Sequence, residues 1–139
     1  MFCLTHEPID PVVVRDAVVS PDCGALLVFE GLARNHFEGR PVTELRYEAF
    51  PEMAVPELER IGSEIAERWA LARCAIVHRL GVVPVTEPTV VIAVATPHRA
   101  ACYEASRYAL EALKARVPIW KKEIYADGSA WKANATSAP

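Results

Sequence analysis

No stretch of this chain approaches the roughly 20 consecutive apolar residues that a membrane-spanning helix requires; the longest apolar runs, such as VVIAVA at 90–95, stop far short. The opening residues, MFCLTHEPIDP, carry no basic segment followed by an apolar core, so no secretory signal is read there and the expected address is the cytoplasm. Cysteine is sparse and scattered. Cys3, Cys23, Cys74 and Cys102 form no Cys-x-x-Cys pair, which removes the spacing of a metal site and, in a reducing compartment, leaves four free thiols. An excess of positive charge is also lacking: 15 Lys and Arg face 18 Asp and Glu, for a net charge of -3. That argues against a general nucleic-acid binder, which presents a basic face, but leaves room for a local basic pocket. There is no G-x-S-x-G elbow, no G-x-x-x-x-G-K phosphate loop and no G-x-G-x-x-G fingerprint. Nor is there a paired-carboxylate motif for glycoside hydrolysis.

What is present suits one domain over residues 1–139, with 52% hydrophobic residues, enough for a core that hides about two thirds of the unfolded surface. Residues 1–20 form an N-terminal segment in which Asp10 caps and Pro11 opens a short helix reaching about Val18. SPDCG at 20–24 is a turn, ALLVFEG at 25–31 a strand, and LARNHFEGRP at 32–41 a loop. Thr43, Leu45, Tyr47 and Ala49 alternate with charged residues, the pattern of a half-buried strand. Ala54, Leu58, Ile61, Ile65 and Trp69 then fall at helical spacing, with Pro56 acceptable only in the first turn. Strands follow at 75–80 and 89–96, rich in β-branched residues. A helix from about Arg99 to Ala115 is stopped by Val117-Pro118, and a last strand begins at Ile119. The tail 132–139, KANATSAP, is expected to fray. This order describes an α+β fold with two main helices and a mixed, mostly antiparallel sheet.

Three basic groups stand at the ends of these elements, where binding groups are commonly mounted. They are Arg34-Asn35-His36 after the first long strand, His98-Arg99 between a strand and a helix, and Lys114, Arg116, Lys121 and Lys122 within LKARVPIWKKE at 113–123. A helix start offers unpaired N–H groups to an anion. Arginine can grip a phosphate through two parallel hydrogen bonds, and histidine exchanges a proton near neutral pH. The plainer alternative makes His98 a helix cap and Arg99 a solvated charge. His78-Arg79 lies inside an alternating strand, which sends one side chain to the core and the other to solvent. Lys114 suits the C-terminal end of a helix through the macrodipole. Lys121 and Lys122 point to opposite faces of their strand, so only one can share a pocket with the other cations. Trp120 is expected to turn inward and anchor that strand. A lysine among Arg and His is suited to proton transfer or nucleophilic work; its alternative is a solvated edge that blocks strand pairing. A site built from cations implies an anionic substrate.

FEGLARNHFEGRPVTELRYEAFPEMA, IVHRLG, ATPHRAACYEA and LKARVPIWKKE occur in that order. Together they resemble the catalytic (large) subunit of molybdopterin synthase, the MoaE type, over roughly residues 24–131. The resemblance implies an α+β fold of the α/β-hammerhead type and a sulfurtransferase of molybdenum cofactor biosynthesis. Such an enzyme converts cyclic pyranopterin monophosphate (precursor Z) into molybdopterin by installing a dithiolene. The sulfur is implied to arrive as a thiocarboxylate on the C-terminal Gly-Gly of a small ubiquitin-like subunit. The implied assembly is a heterotetramer with a homodimer of the large subunit at its centre. The family's functional positions fall here on Phe29, Arg34, His98, Arg99, Lys114 and Lys121. Lys121 and Lys114 are implied to be catalytic, stabilising negative charge as sulfur attacks or exchanging protons. Arg34, His98 and Arg99 are implied to bind the substrate phosphate or the partner's terminal carboxyl group, and Phe29 is implied to be a further substrate-binding position. No metal, cofactor or nucleotide is implied, because the thiocarboxylate is already activated.

The sequence departs from the family at Thr86-Glu87-Pro88, where the family usually has Gly-Glu, at Ala33, and in its short tail. Two rival readings remain: a non-catalytic binding module for a ubiquitin-like partner, and a phosphate-ester hydrolase using the same cations.

Overall fold

The computed structural model describes residues 1–131. In chain order these form β1 (Phe2–Thr5), α1 (Pro11–Asp16), β2 (Ala25–Leu32), β3 (His36–Phe37), β4 (Arg40–Ala49), α2 (Pro51–Arg68), β5 (Arg73–Arg79), β6 (Gly81–Pro84), β7 (Pro88–Thr96), α3 (Arg99–Arg116), β8 (Ile119–Tyr125) and β9 (Gly128–Trp131). The first sheet has the order β1-β5-β7-β2; the second runs β3-β4-β8-β9, with β6 also paired to β4. Among the described residues only the β1–β5 pairing is parallel. The α+β architecture with a mostly antiparallel arrangement is therefore as expected, divided over two sheets. β1, β3, β6 and β9 go beyond the expected strands, and the tail 132–139 lies outside the described residues. No helix among the described residues is long and apolar enough to cross a membrane.

β7 shows why its sequence is an unbroken apolar run. Val90, Ile92 and Val94 join the main core with Leu58, Ile61 and Ile65 of α2 and Ala105 and Ala109 of α3. Val91, Ala93 and Ala95 face the other way, against Val14 of α1 and Val18. A strand covered on both faces has no polar side to alternate with. The short α1 that provides this cover is capped as read: the Asp10 side chain accepts a hydrogen bond from the Val12 amide at 2.9 Å, and Pro11 opens the helix. Gly62 of α2 lets β1 close in, since a Cβ there would stand 2.2 Å from the Phe2 ring.

Four local expectations need correction. First, α2 begins at Pro51, so Pro56 lies in the second turn. It sits on the exposed side, where water can satisfy the Glu52 carbonyl that a proline cannot. Trp69 stands outside the helix as its C-cap. Second, residues 32–41 are not all loop. Glu38 and Gly39 adopt φ of 50° and 77°, the pair of positive values that a tight two-residue hairpin needs, so β3 pairs with the start of β4. Third, Thr43 points to solvent while Val42 and Leu45 are buried. The register slips between Val42 and Glu44, and a bulge resets which residues face the core. Fourth, His78 and Arg79 are both buried, at 3% and 7% exposure. β5, like β7, has no solvent face at this point, and Arg79 is accommodated by an ion pair to Glu87 at 2.7 Å.

Candidate functional site

Where β2 and β7 meet β4 and β8, beside the last turns of α3, a cavity of about 230 Å³ remains. Its walls divide between apolar and polar surface, and the less polar part comes from Phe29, Gly31 and Leu32 of β2, Phe37 of β3, Val42, Leu45 and Tyr47 of β4, Thr89 and Val90 of β7, and Leu110 of α3. Onto this surface converge Arg34, His36, Lys114, Lys121 and Glu123. A concave apolar site with a few directed polar groups is the usual form of a small-molecule site.

Each cation is placed by its element. Leu110 and Lys114 are four residues apart on one face of α3 and border the cavity together. The helix then ends with the Val117 amide bonded to the Leu113 carbonyl at 3.1 Å, ahead of Pro118. On the returning β8, Ile119, Glu123 and Tyr125 are buried and Lys121 shares their face. This corrects the expectation for Trp120. It lies half-buried on the opposite face, and Ile119, fully buried, anchors the strand instead. Arg34 is exposed at the rim, just past a register shift between Gly31 and Leu32. Its connection is pinned by bonds from the Ala33 amide to the Glu87 carbonyl (3.1 Å) and from the Thr86 amide to the Ala33 carbonyl (2.8 Å). Thr86 takes a φ of 79°, a conformation glycine adopts freely and a β-branched residue rarely does. The departure at this position thus falls on a backbone geometry suited to glycine.

Beneath the lysines lies a layer of buried polar groups. Glu123, 2% exposed, has one carboxylate oxygen 3.7 Å from the Lys121 ammonium and accepts a hydrogen bond from the Tyr125 hydroxyl at 2.6 Å on the other. Burial, aided by the Glu123 charge, pushes the Tyr47 phenol up to about 12 against the opposing Thr89 hydroxyl. The Tyr47 ring packs edge-on against His78 at 4.9 Å. The His78 ring N–H (Nδ1) donates to the Arg79 carbonyl at 2.8 Å. Burial, reinforced by the charge of Lys114, drives His78 down to about 4, so it is neutral at physiological pH. Glu123, Tyr47 and His78 were absent from the sequence-derived site, and His36 stood there only as a member of the Arg34-Asn35-His36 group. Glu123 was recoverable, because it follows Lys121 by two residues on a strand and must share its face. Tyr47 and His78 come together only through tertiary packing.

The structure brings together Phe29, Arg34, Lys114 and Lys121. It does not bring His98 and Arg99 to them. That pair is exposed at the start of α3, fifteen residues and therefore about 22 Å of helix from Lys114. His98 is the N-cap by backbone only and makes no side-chain cap bond. Arg116, in the same basic run as the lysines, turns away to Glu57 and Glu64 of α2. The cavity can take a ligand with an apolar ring system and an anionic group. Two ammonium groups near one buried carboxylate can stabilise developing negative charge or relay protons.

The MoaE family model, described as MoaE protein, matches residues 4–116 of this chain. Among curated proteins, the molybdopterin synthase catalytic subunit of Homo sapiens is 49% identical over 130 residues, covering 94% of this chain and 69% of that protein. The subunit of the same name from Halalkalibacterium halodurans is 51% identical over 130 residues, covering 94% of this chain and 83% of its own. A crystal structure of molybdopterin synthase from Staphylococcus aureus superposes with a TM-score of 0.90 at 41% identity, over 94% of this chain and 96% of that one.

Proposed function

The chain belongs to the MoaE family of molybdopterin synthase catalytic subunits, and we propose that its cavity is where sulfur from a small ubiquitin-like subunit, carried as a C-terminal Gly-Gly thiocarboxylate, is transferred to cyclic pyranopterin monophosphate. The observation that carries this reading is the meeting of Lys114 and Lys121, from a helix end and the following strand, on one cavity of mixed lining with Arg34 at its rim. The apolar walls, Phe29 included, suit the pterin ring system. Arg34 suits its phosphate or the terminal carboxyl group of the incoming tail. Lys121 and Lys114 stabilise the negative charge that develops as sulfur attacks, and exchange protons as the ring opens.

His98 and Arg99 enter this scheme through a second copy of the chain. In this scheme they would reach a cavity of this type in trans, from the homodimer at the centre of a heterotetramer; their exposure and their separation from Lys114 along α3 support that reading. The names of the curated relatives, catalytic subunits, fit an enzyme completed by a companion subunit. The four free thiols fit the reducing cytoplasm as its location.

The test is reconstitution. Mixed with a thiocarboxylated small subunit and the pyranopterin precursor, the protein should yield a dithiolene product. A stable complex of the two subunits without product would reduce the chain to a binding module.

A further inference from the structure

We propose that Arg79 and Glu87 are positioning residues for Arg34: their ion pair fixes the turn at 84–88, and that turn fixes the backbone from which Arg34 reaches its anion. The proposal rests on the reading of Arg34 as a ligand for the substrate phosphate or the tail carboxyl group. The Arg34 side chain borders the cavity, is exposed, and makes no hydrogen bond or ion pair among the described residues. The point from which it reaches is therefore set by its backbone. That backbone is held on both sides. After it, the Asn35 carbonyl accepts from the Val42 amide at 2.8 Å. Before it, buried Ala33 is gripped at both of its polar backbone groups: the amide donates to the Glu87 carbonyl at 3.1 Å, and the carbonyl accepts from the Thr86 amide at 2.8 Å.

The turn that grips Ala33 needs support of its own. Thr86 has a φ of 79°, a region that a β-branched residue keeps only where its surroundings hold it there. Within the turn, the Glu87 amide donates to the Pro84 carbonyl at 3.1 Å. The side-chain tie to the rest of the fold is the Glu87 carboxylate, which accepts from the Arg79 guanidinium at 2.7 Å. Arg79 is a firm base for it. It ends β5 opposite Thr5 of β1; its neighbour His78 pairs with Val90 of β7, and the next amide, that of Leu80, donates to the Thr5 carbonyl at 2.7 Å. Arg79 is only 7% exposed, and its Nε has no hydrogen-bond partner among the described residues. A buried ion pair of this kind often stabilises a fold no better than apolar side chains of similar volume. Packing alone therefore does not account for Arg79; the turn that it holds under Arg34 does.

The decisive measurement is a double-mutant cycle on binding of the pyranopterin precursor, read by calorimetry on the full chain in complex with the small subunit. Glu87→Gln leaves Arg79 an acceptor and removes the charge; it should weaken binding about tenfold. In an Arg34→Ala background the same change should weaken binding by no more than about twofold, because Glu87 acts through Arg34. Equal factors in the two backgrounds overturn the proposal, as does a folded Glu87→Gln that binds like wild type. If Glu87→Gln does not fold, the double change Arg79→Met with Glu87→Gln, which replaces the buried charge by an apolar side chain, enters the cycle with the same expectations. In turnover, KM for the precursor should rise with kcat little changed, and a fall in kcat at constant KM overturns the proposal. Hydrogen exchange at the Ala33 and Thr86 amides should accelerate in the variant while the Ile76 amide, bonded to the Met1 carbonyl, keeps its protection. Unchanged exchange at Ala33 and Thr86 overturns the proposal equally. A wild type that binds no precursor sinks the substrate reading of Arg34, while exchange at Ala33 still decides whether the ion pair holds that backbone.

Discussion

Arg116 and Lys121 stand five residues apart in one basic run, and carboxylates treat them in opposite ways. The Arg116 guanidinium is spread over two glutamates of α2, at 2.7 Å to Glu57 and at 2.8 and 3.2 Å to Glu64. Glu64 also accepts from the Tyr108 hydroxyl. These bonds hold the Glu64 carboxyl below its usual range, with Arg116 the leading cause. The same partners push the guanidinium further up. Lys121 meets its carboxylate at 3.7 Å, with the acid drawn toward a tyrosine. The first assembly spends its charge on fastening α3 to α2. The second keeps charge directed at a cavity.

The sharpest way to break the comparison is to remove the cavity lysine. Lys121→Ala should lower dithiolene formation by about 10²–10⁴-fold with the small-subunit complex intact by size-exclusion chromatography. Near-normal turnover would place Lys121 with Arg116 as a structural charge.

Next in size is the acid response of the polar layer under the cavity. The His78 pKa is depressed from 6.5 to about 4 in the folded protein, so the unfolded chain binds this proton first. Above pH 6.5 stability is unaffected; between 6.5 and 4 it falls with pH, by on the order of 3 kcal/mol in all. Denaturant midpoints across that window should be flatter in His78→Gln than in wild type. Equal slopes would show that His78 is not the buried neutral group described.

The smallest effect belongs to the saturated clasp. Arg116→Ala should cost about 1 kcal/mol of stability, a modest value because the group is partly solvated, and turnover per folded molecule should be unchanged. A loss of turnover at full folding would erase the distinction.

Much of this was legible in the chain. The Ala54, Leu58, Ile61 and Ile65 spacing became the buried face of α2, and the β-branched runs became β5 and β7. Lys114 and Lys121 were separated from Arg116 and Lys122 through the family resemblance; of the four, Lys114 and Lys121 line the cavity. What was missed has identifiable physical reasons. β1, β6 and β9 are four residues each, too short to display a period. Thr43 was misplaced because a bulge breaks alternation without leaving a mark in composition. His78-Arg79 was misread because alternation assumes one solvent face, and β5 has none there.

The sequence by itself determined the apolar helical faces, the longer strands and the family. These depend on local periodicity and on residue type. Tertiary structure alone decided that Trp120 is not the anchor of its strand, that Glu123 and Tyr125 stand behind Lys121, that Tyr47 meets His78, and that His98 and Arg99 lie a helix length away from the lysines. Each of these depends on which faces of separate elements are brought together, and the free energy of that packing is shared among residues far apart in the chain.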